Sequence, residues 1–460
     1  MEPIKMTHMP ALICGRGAVK FAATLGRKRA AVIGYTDSVE EKAREIFAGT
    51  DTEIRYIASI QREPLIGDIF DNLPALQEFQ PDLILAIGGG SVMDVAKGLH
   101  LLYENPHLSF ADSLKPFALP ALGKKAVSVH VPTTSGTVSE TSSAAVFIHP
   151  ETKVKNLLLS NTLIPQYAVV DADFTDHLPP AIQIVSGLDA MCHAIESTTA
   201  AKSNVFTKAI ATQAALDVLD YLPDAVNMDL PEAQRLAAKE KLHMAATMAG
   251  IAITHSFTGI VHSYDHPGPA FHLPHGVVCG IMLPYAMELV GPQEEYACLA
   301  RRLGYRGDRT ALWQQLISHI RNLNHRLGLS DTFAGAGVDE KAYFQQVPTW
   351  RRSPWPALPP SYPLPTWIWK RENASIPAAT TATIKARPFR RCRPLRPLWA
   401  PGRSPGGAAA FGGRGPWGPP AAKQKDRAGG KASGPVLSLS KKSSKSWAFS
   451  FIRGKISSRW

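Results

Sequence analysis

The sequence predicts an α/β domain built on a parallel sheet, then an all-helical domain, then a basic tail with little packed structure. Three observations carry that division. Short β-rich apolar runs alternate with helical patterns through the first third, helical periodicity takes over near residue 179, and the composition changes abruptly after Val347-Pro348. The expected boundaries are 1–178, 179–348 and 349–460.

The strand-like runs are RAAVIGY at 29–35, EIRYIA at 53–58, DLILAIG at 82–88, AVSVHVP at 126–132 and YAVVDAD at 167–173. Between them lie SVEEKAREIFAG and SVMDVAKGLHLLY, whose apolar residues recur at three and four, so the strands are expected to run parallel with helices on both faces. Leu178-Pro179-Pro180 opens the helical half, because proline fits the first turn of a helix. AIQIVSGLDAMCHAIES, VFTKAIATQAALDVLDYL and EAQRLAAKEKLHMAATMAGIAI then show helical spacing, and the pattern continues to about residue 346.

Residues 351–460 hold 16 prolines, seven tryptophans and 22 Lys and Arg against 2 Asp and Glu. The preceding 350 residues carry 28 Lys and Arg against 36 Asp and Glu, so the net charge of +12 comes entirely from the last quarter. A like-charge excess without continuous apolar faces predicts little packing there. The tail reads as out-of-frame translation of a GC-rich gene in preference to a nucleic-acid-binding extension, since nothing in it resembles a folded reader. Five cysteines, widely spaced and without a CxxC pair, go with a reducing cytoplasm, and neither a secretory leader nor an apolar run of about 18 residues is visible.

Two loops suggest a dinucleotide. AIGGGSVMDVAKG places Gly88, Gly89 and Gly90 directly after a buried strand, with Ser91 and Asp94 in the spacing of a capping box at the start of a helix. PTTSGTVSE follows another strand and offers the hydroxyls of Thr133, Thr134, Thr137 and Ser139 around Gly136. Loops at the carboxyl ends of parallel strands are where such sheets bind nucleotides. Asp37, just after the first of these strands, sits where a carboxylate accepts from a ribose 2′-hydroxyl and repels a 2′-phosphate, which favours NAD; an ordinary helix N-cap is the other reading.

The second constellation is a cluster of imidazoles with one carboxylate. Asp189 and His193 are four apart, as are His262 and His266, so each pair is expected on one face of its own helix. His275 follows a Pro-Gly-Pro bend and could complete the set, with His272 competing for that place and His255 a further candidate. Mixed nitrogen and oxygen donors suit Fe(II), Zn(II), Mn(II) or Co(II).

GGGSVMDVAKG, PTTSGTVSE, GLDAMCHAIES and VHSYDHPGPAFHLPHG, in this order and spacing, resemble the iron-containing (group III) alcohol dehydrogenase family over residues 8–346. The resemblance implies a Rossmann-like nucleotide domain joined to a helical metal domain, the fold shared with dehydroquinate synthase. It implies Asp189, His193, His262 and His275 as ligands of Fe(II), with Zn(II) as the alternative, and His266 as a catalytic proton relay near the nicotinamide. Gly89, Gly90, Ser91 and Asp94 would hold the pyrophosphate loop of NAD, and Thr133, Thr134, Thr137 and Ser139 would line the cofactor groove. Lys155 would lie near the ribose with Leu178 beside it, and Asp37 would face the adenosine ribose. The family's activity implies hydride transfer between a primary or small secondary alcohol, or the matching aldehyde, and the nicotinamide. Homodimers are common in the family, and neither membrane nor nucleic acid is an implied partner. A lyase or synthase of the dehydroquinate synthase type and an inactive truncated remnant are the competing readings, because the family continues past this point with helices that the tail replaces.

Overall fold

A computed structural model describes Met6 and residues 8–151, 155–265 and 267–350, apart from the side chains of 347–350. By its contacts the chain forms two units, Met1–Ala379 and Thr380–Trp460, and all described residues belong to the first. The sequence expectations for the tail from 351 onward therefore fall outside the described residues.

Six strands form one parallel sheet: β1 (Ala11–Cys14), β2 (Arg29–Gly34), β3 (Glu53–Ser59), β4 (Leu83–Gly88), β5 (Val127–Pro132) and a later strand at Tyr167–Val170. β6 (Ala144–Ile148) and β7 (Lys155–Leu159) make a separate antiparallel pair, so the strand at Tyr167–Val170 is β8. The sheet order is β1-β8-β5-β4-β2-β3. All five strand-like runs of the sequence lie in this sheet, while β1 and the β6–β7 pair had no comparable signal.

β4 is buried at every position, with Leu83, Leu85 and Ile87 in one cluster and Ile84 and Ala86 in another. Side chains alternate across a strand, so this central strand feeds a core on each face. α1 (Ser38–Ile46) packs on one face, and α2 (Ile66–Phe79) with α3 (Gly90–Glu104) packs on the other. The chain leaves β2 toward β3 on one side and returns through β4 to the opposite side of β2, which makes the β2/β4 boundary the point where strand order reverses. Crevices at such a point, outside the carboxyl ends of the strands, are the usual ligand position in this kind of sheet.

From Pro180 onward the structure is helical. α4 (Pro180–Thr199), α5 (Val205–Val226) and α6 (Glu232–Ser256) pack together, followed by α7 (His275–Val290), α8 (Glu294–Arg302), α9 (Arg309–Arg326) and α10 (Glu340–Trp350). Pro180 occupies the first turn of α4, as the Pro-Pro signal predicts. Helical geometry runs to Trp350, a few residues past the expected end near 346. None of the described helices is long and apolar enough to cross a membrane.

The seam between sheet and helices is close. A Cβ at Gly136 would overlap the Ser186 backbone, and within the helical half one at Gly276 on α7 would overlap the Val185 carbonyl on α4. Lys239 Nζ donates to the carbonyls of Thr175, Asp176 and Leu178, and Arg16 bridges Asp173, Asp176 and Glu240.

Candidate metal centre and nucleotide loops

The two predicted loops emerge side by side because β4 pairs with β5 in a register that sets Gly88 against Pro132. Thr133 N–H donates to the Gly88 carbonyl at 3.0 Å, which continues the ladder into both loops. Gly89 is the N-cap of α3, so the N–H groups of Gly90, Ser91 and Val92 open toward the loop without helical partners. A Cβ at Gly90 would stand 2.8 Å from Thr137 Cβ, inside van der Waals contact, so glycine is what lets the loops touch. The Oγ1 atoms of Thr134 and Thr137 are buried without a partner, hydroxyls that fit a cofactor filling this cradle.

Asp94 departs from the capping-box expectation. Its carboxylate accepts from Ser139 Oγ at 2.7 Å and from the Val146 N–H at 2.9 Å, because its position one turn into α3 faces the second loop and β6, not the helix start. It fixes the loop in place. Val138, beside Ser139, holds φ at 57°, a left-handed conformation that a β-branched residue adopts only under constraint. Asp37 is the N-cap residue of α1 and is exposed at the carboxyl end of β2, with no side-chain capping bond.

In the helical half, Asp189 and His193 lie one turn apart on α4 and are buried. His262 sits on a one-turn helix at Ile260–Ser263, and His275 is the first residue of α7. Asp189 Oδ1 stands 3.3 Å from His262 Nε2, 3.3 Å from His275 Nε2 and 3.7 Å from His193 Nδ1. Two donors about 2.0–2.1 Å from one ion at a tetrahedral angle are about 3.4 Å apart, so this spacing suits a shared cation. His193 Nδ1 has no hydrogen-bond partner, and its ring stacks on His262 with centroids 4.3 Å apart.

Two carboxylates orient the imidazoles from behind. His262 Nδ1 pairs with Glu196 Oε2 at 2.6 Å, while Glu196 Oε1 accepts from the Val261 N–H. His275 Nδ1 pairs with Asp265 Oδ2 at 3.0 Å, and Lys155 Nζ donates to the same oxygen at 2.5 Å. Each Nδ1 is thereby committed, which leaves each Nε2 directed at Asp189. Lys155 thus spends its ammonium on the support of His275. Neither Glu196 nor Asp265 was singled out in the sequence, although Glu196 follows His193 by three residues on α4, a spacing that shares its face.

The charges are tightly coupled. Burial opposes ionisation of Asp189, yet His193, His275 and His262 hold its carboxyl well below the ordinary range. Burial also opposes charge on His262 and His275, but Cys279, Asp189 and the supporting carboxylates lift both well above the ordinary imidazole value. His193 goes the other way, pushed by burial down to about 4 against the pull of Asp189. A divalent cation takes its ligands deprotonated, so it would replace the protons that these groups now share.

Two expectations change. His262 and His266 were expected on one helical face, but the helix ends at Ser263, whose carbonyl has no N–H to accept from at Pro267, four residues on; His266 itself lies outside the described residues. His272 is exposed with φ at 55°, and His255 bonds the Ile251 carbonyl, so neither joins the cluster. The structure brings Cys279 there instead, its ligand atom and those of Asp189, His262 and His275 all within 4.8 Å of one another.

Glycine and hydroxyl loops at the carboxyl ends of adjacent parallel strands, in a chain whose helical half carries a buried carboxylate and imidazole cluster, are the parts of a two-domain oxidoreductase architecture built for a nucleotide and a metal ion. The description "iron-containing alcohol dehydrogenase" matches residues 10–172, and the C-terminal part of the same family matches residues 183–350. The chain belongs to the iron-containing alcohol dehydrogenase family. It is 31% identical over 346 residues to the NADPH-dependent butanol dehydrogenase of Clostridium saccharobutylicum, covering 72% of this chain and 87% of that one. It is 33% identical over 344 residues to aldehyde-alcohol dehydrogenase 2 of Entamoeba histolytica, with 69% of this chain covered but only 38% of that longer protein. The iron-containing alcohol dehydrogenase structure from Thermococcus thioreducens superposes with a TM-score of 0.68 at 30% identity, covering 76% of this chain and 92% of its own.

Proposed function

We propose that the chain is a metal-dependent, NAD-linked alcohol dehydrogenase and aldehyde reductase for small alcohols, with residues 1–178 as the NAD-binding unit and 179–348 as the metal-binding unit. The observation that carries this is one buried carboxylate oxygen of Asp189 facing three imidazole nitrogens at 3.3–3.7 Å. Asp189, His193, His262 and His275 would hold the ion, Fe(II) by family and Zn(II) as the alternative. When bound, the ion supplies Lewis-acid polarisation of the substrate oxygen and the nicotinamide supplies the hydride acceptor.

The chain's own residues do the rest. Glu196 and Asp265 fix the imidazole tautomers and keep each Nε2 aimed inward. The N–H groups at the start of α3 receive the pyrophosphate, Thr134 and Thr137 offer their free hydroxyls, and Asp94 with Ser139 holds the loop that carries them. Asp37 sets the preference for NAD by accepting from a ribose hydroxyl and repelling a 2′-phosphate. His266 carries the reaction proton toward solvent. The four described cysteines are unpaired, which suits a reducing, cytoplasmic setting.

The test is NADH formation from a series of primary and small secondary alcohols, followed alongside metal content. NADH that rises with the alcohol and disappears on chelation supports the reading. Turnover of a carboxylated or phosphorylated substrate with no net NADH would transfer the chain to a lyase or synthase class.

A further inference from the structure

Cys279 lies one turn after His275 on α7, fully buried, and therefore on the same helix face. Its Sγ is 3.6 Å from His275 Nε2 and 3.9 Å from His262 Nε2. A sulfur about 2.3 Å from an ion and a nitrogen about 2.0–2.1 Å from it, at a tetrahedral angle, stand about 3.6 Å apart. The same construction gives the 3.3 Å between Asp189 Oδ1 and the two Nε2 atoms, so oxygen, nitrogen and sulfur converge on one point. His193 stands outside that group of four, its Nδ1 buried, without a hydrogen-bond partner and 3.7 Å from Asp189 Oδ1.

We propose that Cys279 is a ligand of this centre, a thiolate beside the Asp189 carboxylate and the His262 and His275 imidazoles. It raises the preference for Zn(II) or Co(II) over Fe(II), relative to the same centre without sulfur. The inference rests on the metal-binding reading given above. Thiolate is a soft donor that favours zinc and similar ions, whereas carboxylate and imidazole alone discriminate less. Binding involves no redox change: the Sγ–H bond breaks, its proton goes to solvent, and the sulfur electron pair forms the bond to the ion. Cys192, on α4 beside His193, is also buried and hydrogen-bonded to Cys279, yet it stands outside the group of converging donors, so replacing it tests whether the sulfur bound to the ion is that of Cys279.

The full chain, stripped of metal and reloaded without oxygen with Co(II), is expected to retain one Co(II) per chain and to show an intense near-ultraviolet thiolate-to-cobalt absorption. Cys279→Ser should keep cobalt but lose that band, and its Zn(II)-over-Fe(II) preference should fall by about 10–100-fold, the range over which altered surroundings change metal affinity. Cys192→Ser should keep the band. X-ray absorption of the zinc-loaded wild type, with one sulfur at about 2.3 Å, gives the same answer without any variant. One cobalt per chain without the band, or a band that survives Cys279→Ser, overturns the thiolate and leaves the centre standing. No retained cobalt at all overturns the centre and the thiolate with it.

Discussion

The loops at 88–94 and 132–139 are shaped by what is left out of them, whereas the cluster around Asp189 is shaped by what is put in. In the loops, glycines at 90 and 136 allow backbone to approach Thr137 and Ser186, and the recognition groups are N–H dipoles and neutral hydroxyls. In the cluster, three separate helical segments contribute charged or titrating side chains, and two of them, those carrying His262 and His275, are braced by a second carboxylate. The first region should fail through steric intrusion, with the ion still bound. The second should fail through lost charge, with nucleotide affinity spared.

Four experiments separate these two modes of failure. Asp189→Asn removes the carboxylate that all three imidazoles face and should have the largest effect, with metal content and alcohol-dependent NADH formation both falling to background while NADH binding by fluorescence persists. Glu196→Gln keeps every ligand but weakens the brace on His262, and should loosen the metal by about 10–100-fold in a competition titration. Gly90→Ala places a Cβ against Thr137 and should raise the KM for NAD about tenfold, equivalent to about 1.4 kcal/mol, with metal stoichiometry unchanged.

The smallest effect concerns the seam. His243 on α6 bonds Ser135 at 3.2 Å and is pushed by burial down to about 4, a backbone contact at Pro132 opposing the shift. The unfolded ring takes its proton near pH 6.5, so between about 6.5 and 4 the unfolded chain binds more protons and stability falls as pH falls. At pH 5.5 this costs about 1 kcal/mol. Urea unfolding at pH 7.5 and 5.5 should show that extra loss in the wild type and not in His243→Gln.

The same contrast decides what the sequence could reveal. The nucleotide loops are contiguous, so GGGS after DLILAIG and TTSGT after AVSVHVP could be read with their strands, and the structure sets them side by side. Asp189 with His193 was legible because helical spacing is local. His262 and His275 needed their clustering and a family resemblance, because Pro267 breaks the helix that the H-x3-H spacing suggested. Glu196, Asp265 and Cys279 remained hidden for a physical reason: each reaches its partner only when α4, the turn at 260–263 and α7 pack together. Asp94 was placed at the right loop with the wrong bond, since only the position of β6 shows that its carboxylate turns away from the helix start. The β6–β7 pair was hidden too, being short and outside the main sheet.

Asp189, His193, His262 and His275 are proposed to hold one ion. Metal analysis of purified wild type and His262→Ala, run together with alcohol-dependent NADH formation, tests this most directly. About one divalent ion per wild-type chain is expected, with turnover that follows it, and both are lost in His262→Ala while thermal unfolding remains cooperative. A His262→Ala protein that keeps its ion and its turnover contradicts the account.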